Sequence, residues 1–81
     1  MDLRNQIIKE LKDSIAKDDE EIKKYDDKIS TAYFAKNTIT DGAFASTARA
    51  KIDRDISKYE REKQAIVTNS TWKREMINKY K

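Results

Sequence analysis

The amino-acid sequence predicts an all-α fold, a long antiparallel coiled-coil helical hairpin with a short third C-terminal helix packed at its open end. Two observations lead to this prediction. Charged residues make up 41% of the 81 residues and hydrophobic ones 37%, a mixture typical of long helices when the apolar residues recur with a helical period. The chain has one glycine and no proline, whereas β-sandwiches and barrels need many turn residues. A chain this short is expected to form one domain, residues 1–81.

The first helix is predicted over residues 2–36, where apolar residues recur at alternating intervals of three and four. This spacing is typical of the contact seam of a coiled coil. One polar residue, Asp18, interrupts the seam. Its other members are Ile8, Leu11, Ile15, Ile22, Tyr25, Ile29 and Ala32. A helix of about 35 residues is roughly 52 Å long, and it needs a partner to cover its apolar stripe.

The turn is predicted at residues 37–42. Asn37 suits the C-terminus of a helix, and Thr40 or Asp41 suits the N-cap of the next one. Because the connection is short, the two helices should be antiparallel neighbours.

The second helix is predicted over residues 43–67 by a seam of the same spacing. Its members are Ala45, Arg49, Ile52, Ile56, Tyr59, Lys63 and Ile66. One antiparallel register aligns the apolar residues of both seams, for example Ile29 with Ile52, and places Asp18 opposite Lys63. We interpret this polar pair as a feature that fixes the register at some cost in stability. The alternative is that both are ordinary surface charges.

A third helix is predicted over residues 71–80, because the segment before it breaks the helical pattern. That segment consists of poor helix formers that are good N-caps: Thr68, Asn69, Ser70 and Thr71. The third helix has an apolar face of Trp72, Met76, Ile77 and Tyr80. We expect Trp72 to pack against Leu3, Ile7 and Leu11 at the open end. This helix, or a second copy of the chain in a homodimer, would add the apolar burial that a bare two-helix seam lacks.

The composition argues against an enzyme and against a bound cofactor. The chain has no histidine and no cysteine, so it lacks the usual acid–base residue, the usual nucleophilic arrangements and the preferred zinc ligands. One glycine cannot build a phosphate-binding loop. The densest acidic runs, residues 18–21 and 26–27, diverge around the helix and do not predict a metal site. We therefore expect no catalytic, cofactor-binding or metal-binding residues.

Large apolar residues crowd around the predicted turn. They are Tyr33, Phe34, Ile39 and Phe44. Phe34 falls opposite the seam, which predicts that it is exposed. An exposed aromatic patch on a charged protein indicates a binding site for another protein. The alternative is that these residues merely cover the turn.

The second candidate surface is the basic C-terminal segment. The net charge of +3 lies entirely in residues 70–81, because the rest of the chain is neutral overall. Aromatic and basic residues mix there: Trp72, Lys73, Arg74, Tyr80, Lys79 and Lys81. Such a mixture can contact nucleic acid or an acidic partner. The alternative, which we favour, is the solvated outer face of a short helix.

These observations favour a small non-catalytic protein-interaction module in the cytoplasm, without a membrane partner. Its size and the abundance of residue types that have AT-rich codons, such as lysine and isoleucine, suggest a phage or plasmid origin, as an assembly factor or as a host-directed inhibitor such as an anti-CRISPR protein. Two other classes stay open. One is a nucleic-acid-binding protein that uses the basic segment, and the other is a self-assembling structural subunit.

Overall fold

The computed structural model describes residues 2–81 and shows two long helices joined in an extended hairpin. Helix α1 spans Leu3–Thr38 and helix α2 spans Ala45–Tyr80, each with 36 residues. The molecule measures 66 × 14 × 11 Å. Over the described residues there is no strand and no third helix. The predicted all-helical hairpin is therefore confirmed.

Local interactions define the start and the end of α1. The Asp2 carboxylate accepts a hydrogen bond of 3.0 Å from the backbone N–H of Arg4, which makes Asp2 the N-cap. At the other end, the backbone N–H of Ile39 donates to the carbonyl oxygen of Lys36. The Thr38 hydroxyl also donates to the carbonyl oxygen of Ala35, at 2.9 Å. These bonds satisfy backbone groups that the helix itself leaves without partners.

The predicted third helix at residues 71–80 is wrong, because α2 continues through residues 68–71 without a break. Helix propensity is a weak preference that tertiary packing overrides. The intervals of three and four continue past Ile66 through Ser70, Lys73, Ile77 and Tyr80, and this side of α2 lies against α1. The Thr71 hydroxyl donates to the carbonyl oxygen of Val67, at 3.0 Å, so it bonds inside the helix and caps nothing.

The predicted register is also wrong. Asp18 pairs with Lys73 at 2.7 Å, and Lys63 pairs with Asp26 at 2.6 Å, so Asp18 and Lys63 do not meet. The contacts between the helices place α2 about one heptad from the predicted alignment. A shift of seven residues brings the same faces back into contact, so the seam spacing fits both registers. The observed register lays the last turns of α2 along the first turns of α1.

The interface between the helices is thin. Only Ile56 and Ile77 are buried apolar side chains in the described part of the chain, with 5% and 7% of their surface exposed. Most other seam residues are half-buried. The expected burial of Trp72 against Leu3 is wrong, because these side chains are 55% and 70% exposed. In a continuous α2, Trp72 precedes the seam residue Lys73 by one position, which turns it about 100° away from α1.

Neither α1 nor α2 contains a stretch that is apolar enough to cross a membrane.

Candidate partner-binding site

The tip of the hairpin is held by Arg49. Its guanidinium donates to the carbonyl oxygen of Ile39 at 3.1 Å and to the Asp41 carboxylate at 3.2 Å. One side chain of α2 thus fixes the chain as it leaves α1 and as it turns. Sequence reasoning placed Arg49 in the seam and missed this role. The sequence signal was an arginine in a seam position shortly after an acidic turn residue.

The second helix begins without a side-chain cap. Its N-cap is Phe44, with φ −112° and ψ 8°, and no side chain accepts from the first turn. The predicted caps, Thr40 and Asp41, lie too early in the chain, and the Asp41 carboxylate binds Arg49 instead. Phenylalanine supplies no acceptor for the free N–H groups of the first turn, so this residue is a poor choice for starting a helix.

The aromatic residues of the tip differ in exposure. Phe44 is 81% exposed, Phe34 71% and Tyr33 45%. The predicted exposure of Phe34 is confirmed. Ile39 is half-buried and therefore takes part in packing the turn. Ile39 thus helps to cover the turn, whereas Phe34 and Phe44 supply most of the exposed apolar surface of the tip.

The basic C-terminal segment does not form one free cationic face. Lys73 points into the seam, where its ammonium group lies 2.7 Å from the Asp18 carboxylate. Arg74 lies 3.4 Å from the Asp19 carboxylate. Trp72 is exposed on the outer face, and Lys79 and Lys81 are exposed near the end of α2. Two of the four predicted cations are therefore neutralised by α1, and the segment gathers little positive charge for a nucleic acid.

A polar contact lies about halfway along the hairpin, at the edge of the seam. The Tyr25 hydroxyl donates to the Glu62 carboxylate at 2.8 Å. The Tyr25 and Tyr59 rings lie 6.4 Å apart, and the Lys28 ammonium group lies 5.1 and 5.6 Å from their centres. The hydrogen bond to Glu62 raises the pKa of Tyr25 above its usual 10.0, and burial and the charges of Glu62 and Glu21 add to this effect.

A second polar layer lies toward the open end. Ser70 is 2% exposed, and its hydroxyl has no hydrogen-bond partner among the described residues. It precedes Lys73 by one helical turn and therefore faces the same side of α2 as the Asp18–Lys73 pair. Residues 2–81 contain no cluster of acidic residues arranged to hold a metal ion.

Comparison of the chain with protein-family models, with curated protein sequences and with solved structures finds no match.

Proposed function

We propose that this chain is a non-catalytic protein-interaction module that docks its tip onto an apolar groove of another protein. The observation that supports the proposal is the exposure of Phe34 and Phe44 at one end of the rod, 71% and 81%. Large apolar residues in this number exceed what the turn requires, because the Arg49 contacts already close it. Buried aromatic residues are typical of the most strongly binding positions of protein interfaces.

Energetics also favours a binding role for these two residues. An exposed phenylalanine contributes little to folding, whereas burying its side chain against a partner is worth about 1.5–3 kcal/mol. Phe44 also occupies an N-cap, where a serine or aspartate would stabilise the helix by about 1 kcal/mol more. The tip is held in place before binding, so little additional ordering would oppose association.

The proposal extends to the biological setting that size and composition suggest. A phage- or plasmid-encoded assembly factor, or a host-directed inhibitor such as an anti-CRISPR protein, would act by occupying a surface of its target. A rigid rod with an aromatic tip suits this mode of action, since it needs no chemistry of its own. Nucleic-acid binding is less favoured, because Lys73 and Arg74 are engaged by acidic residues of α1.

A pull-down from the source cells tests the tip. The double substitution Phe34→Ser and Phe44→Ser should abolish retention of the bound protein, or weaken binding at least about 30-fold, as expected when strongly contributing aromatics are lost. Helicity measured by circular dichroism should not fall, because both side chains are exposed and a serine at position 44 can cap α2. Trp72→Ser is the matched control, since it removes an exposed aromatic ring from the other half of the rod.

The outcome separates the proposed functions. If the double variant keeps the protein and Trp72→Ser loses it, the binding surface lies on the outer face of α2. A salt-sensitive mobility shift with short DNA or RNA that depends on Lys79 and Lys81 would establish nucleic-acid binding instead. If the double variant unfolds, the two phenylalanines belong to a local core and the proposal is wrong.

A further inference from the structure

The two sides of the helix–helix seam differ in chemistry. On one side, three ion pairs join the helices: Asp19 with Arg74, Asp26 with Lys63, and Lys36 with Asp53. We call it the ion-paired side. On each helix, a row of exposed residues that recur every seven positions flanks the seam on this side. Each ion pair has at least one member in these rows, which contain Asp19 and Asp26 of α1 and Asp53 and Arg74 of α2.

The opposite side, which we call the open side, is flanked by two rows that also recur every seven positions. They are Ile7, Ser14, Glu21, Lys28 and Ala35 from α1, and Ala48, Asp55, Glu62, Asn69 and Met76 from α2. No ion pair between α1 and α2 lies on this side among the described residues; it holds the hydrogen bond between Tyr25 and Glu62.

The open side is apolar at both ends. Near the free ends of the helices it presents Ile7 and Met76, and near the tip it presents Ala35 and Ala48. The small side chains near the tip leave an open groove of about 440 Å³ between the helices. Ala32, Ala35, Ile52 and the Tyr59 ring give it a largely apolar lining, to which the polar residues Asp27, Lys28, Thr31 and Asp55 also contribute. Bulky apolar residues at one end and an apolar groove at the other are complementary if a second molecule runs in the opposite direction.

The surface area indicates how much a second molecule could cover. The chain exposes 6373 Å². A compact folded monomer of 9.5 kDa exposes about 5,000 Å². The excess of about 1,300 Å² is more than the roughly 800 Å² that each partner contributes to a stable interface. The thin core, with two buried apolar side chains, would gain from such a cover.

We propose that the open side binds the open side of a second copy of this chain, in an antiparallel two-fold dimer of four helices. The apolar ends set the direction, because the bulky end of one copy meets the groove of the other only in an antiparallel pair, and the charges of the α1 row fit this direction. Glu21 and Lys28 lie one heptad apart in the same row, so in an antiparallel pair each Glu21 lies opposite Lys28 of the second copy. Lys28 takes part in no ion pair within the described residues; its ammonium group lies over the Tyr25 and Tyr59 rings, and Glu21 is paired with Lys24 of the same helix at 3.3 Å. The tips stay free at opposite ends of the dimer.

Sedimentation equilibrium of the full chain tests the dimer. The wild-type chain should show the mass of two copies, and Ala48→Glu should weaken association at least 10-fold. Ser46→Glu is the matched control, because it also lies in the first turn of α2 but flanks the ion-paired side. It should leave the dissociation constant unchanged. A monomer at every concentration, or equal effects of the two variants, would overturn the proposal.

A charge exchange tests the direction and does not depend on the fold tolerating Ala48→Glu. Lys28→Glu should weaken the dimer by placing two acidic groups opposite each other. Adding Glu21→Lys to it should restore association, because the opposite charges then face each other again. Failure of the double variant to recover would rule out this antiparallel arrangement. The inference is independent of the tip: Phe34→Ser with Phe44→Ser should not alter the dimer, and Ala48→Glu should not remove the apolar tip.

Discussion

The tip half and the open-end half of the hairpin each bury one apolar side chain almost completely, but polar groups are distributed differently in them. In the tip half, Ile56 is buried, and the polar Tyr25–Glu62 contact lies at the edge of the seam. In the open-end half, Ile77 is separated from the rest of the apolar seam by a polar layer. Ser70 and the Asp18–Lys73 pair, with side chains 19% and 17% exposed, form that layer.

This contrast shows that the specificity of the hairpin lies in its polar layer. The apolar seam fits more than one register, because a heptad shift returns the same faces to contact. A half-buried charge pair fits only a register in which both charges find partners. The tip half therefore supplies apolar contact between α1 and α2. The polar layer selects the register in which the two helices also make contact in the open-end half.

The largest losses of stability are expected from substitutions that remove the buried side chain of one half or the other. Ile56→Ala and Ile77→Ala should each lower the free energy of unfolding by about 2–4 kcal/mol, because each removes a buried side chain and leaves a cavity. Urea unfolding followed by circular dichroism at one fixed protein concentration measures this loss. Leu3→Ala is the control, since its side chain is 70% exposed, and it should cost less than about 0.5 kcal/mol.

The relative losses of stability in Ile56→Ala and Ile77→Ala show whether the two halves unfold together. Equal effects within one transition mean that both halves unfold together across the polar layer. If Ile77→Ala costs less than about 1 kcal/mol while Ile56→Ala keeps its full effect, the open end frays separately and the polar layer divides the hairpin into two units.

The two helices and the faces along which they pack were predicted correctly from the sequence. The interval pattern from Ile8 to Ala32 predicted which side of α1 meets α2, and these residues are half-buried as expected. The exposure of Phe34 followed from the same pattern. Periodicity reports faces well, because the direction of a side chain depends only on its position along the helix.

Sequence reasoning failed on alignment and on continuity. The period cannot distinguish registers that differ by one heptad, so Asp18 was paired with Lys63 when Lys73 is its partner. Residues 68–71 looked like a break because their intrinsic helix propensity is low. They stay helical because seam contacts continue on both sides of them, with Ile66 before and Ile77 after. The Arg49 contacts at the tip depend on the geometry of the turn, which the helical period does not predict.

The polar layer should give the next largest effect. Lys73→Ala leaves the half-buried Asp18 carboxylate without its partner and should cost about 1–3 kcal/mol. Replacing both residues, Asp18→Leu with Lys73→Leu, should keep or raise the melting temperature, because an apolar pair needs no desolvation of charge. Thermal unfolding by circular dichroism measures both variants.

The exposed pair supplies the control for the polar layer. Asp19→Ala breaks the contact with Arg74, in which both side chains are more than half exposed, and should change stability by less than about 0.5 kcal/mol. A large loss of stability in the double leucine variant would show that the charge pair itself stabilises the fold, and that the polar layer is more than a selector of register.

The smallest effect concerns Tyr25 and depends on pH. Its hydrogen bond to Glu62, followed by burial and the nearby carboxylate charges, raises the pKa of Tyr25 in the folded chain above the usual 10.0. A raised pKa means that the folded state holds the phenolic proton more tightly than the unfolded state does. The resulting stabilisation is fully present below pH 10 and is lost as the pH rises through the raised pKa.

The substitution Tyr25→Phe removes this stabilisation, so the melting temperature of the wild type should exceed that of the variant by a constant amount at neutral pH. This difference should shrink above about pH 10. Tyr33→Phe is the control, because the Tyr33 hydroxyl makes no hydrogen bond within residues 2–81, and its difference from the wild type should stay near zero. A Tyr25→Phe difference that does not change with pH would mean that the contact with Glu62 contributes packing alone.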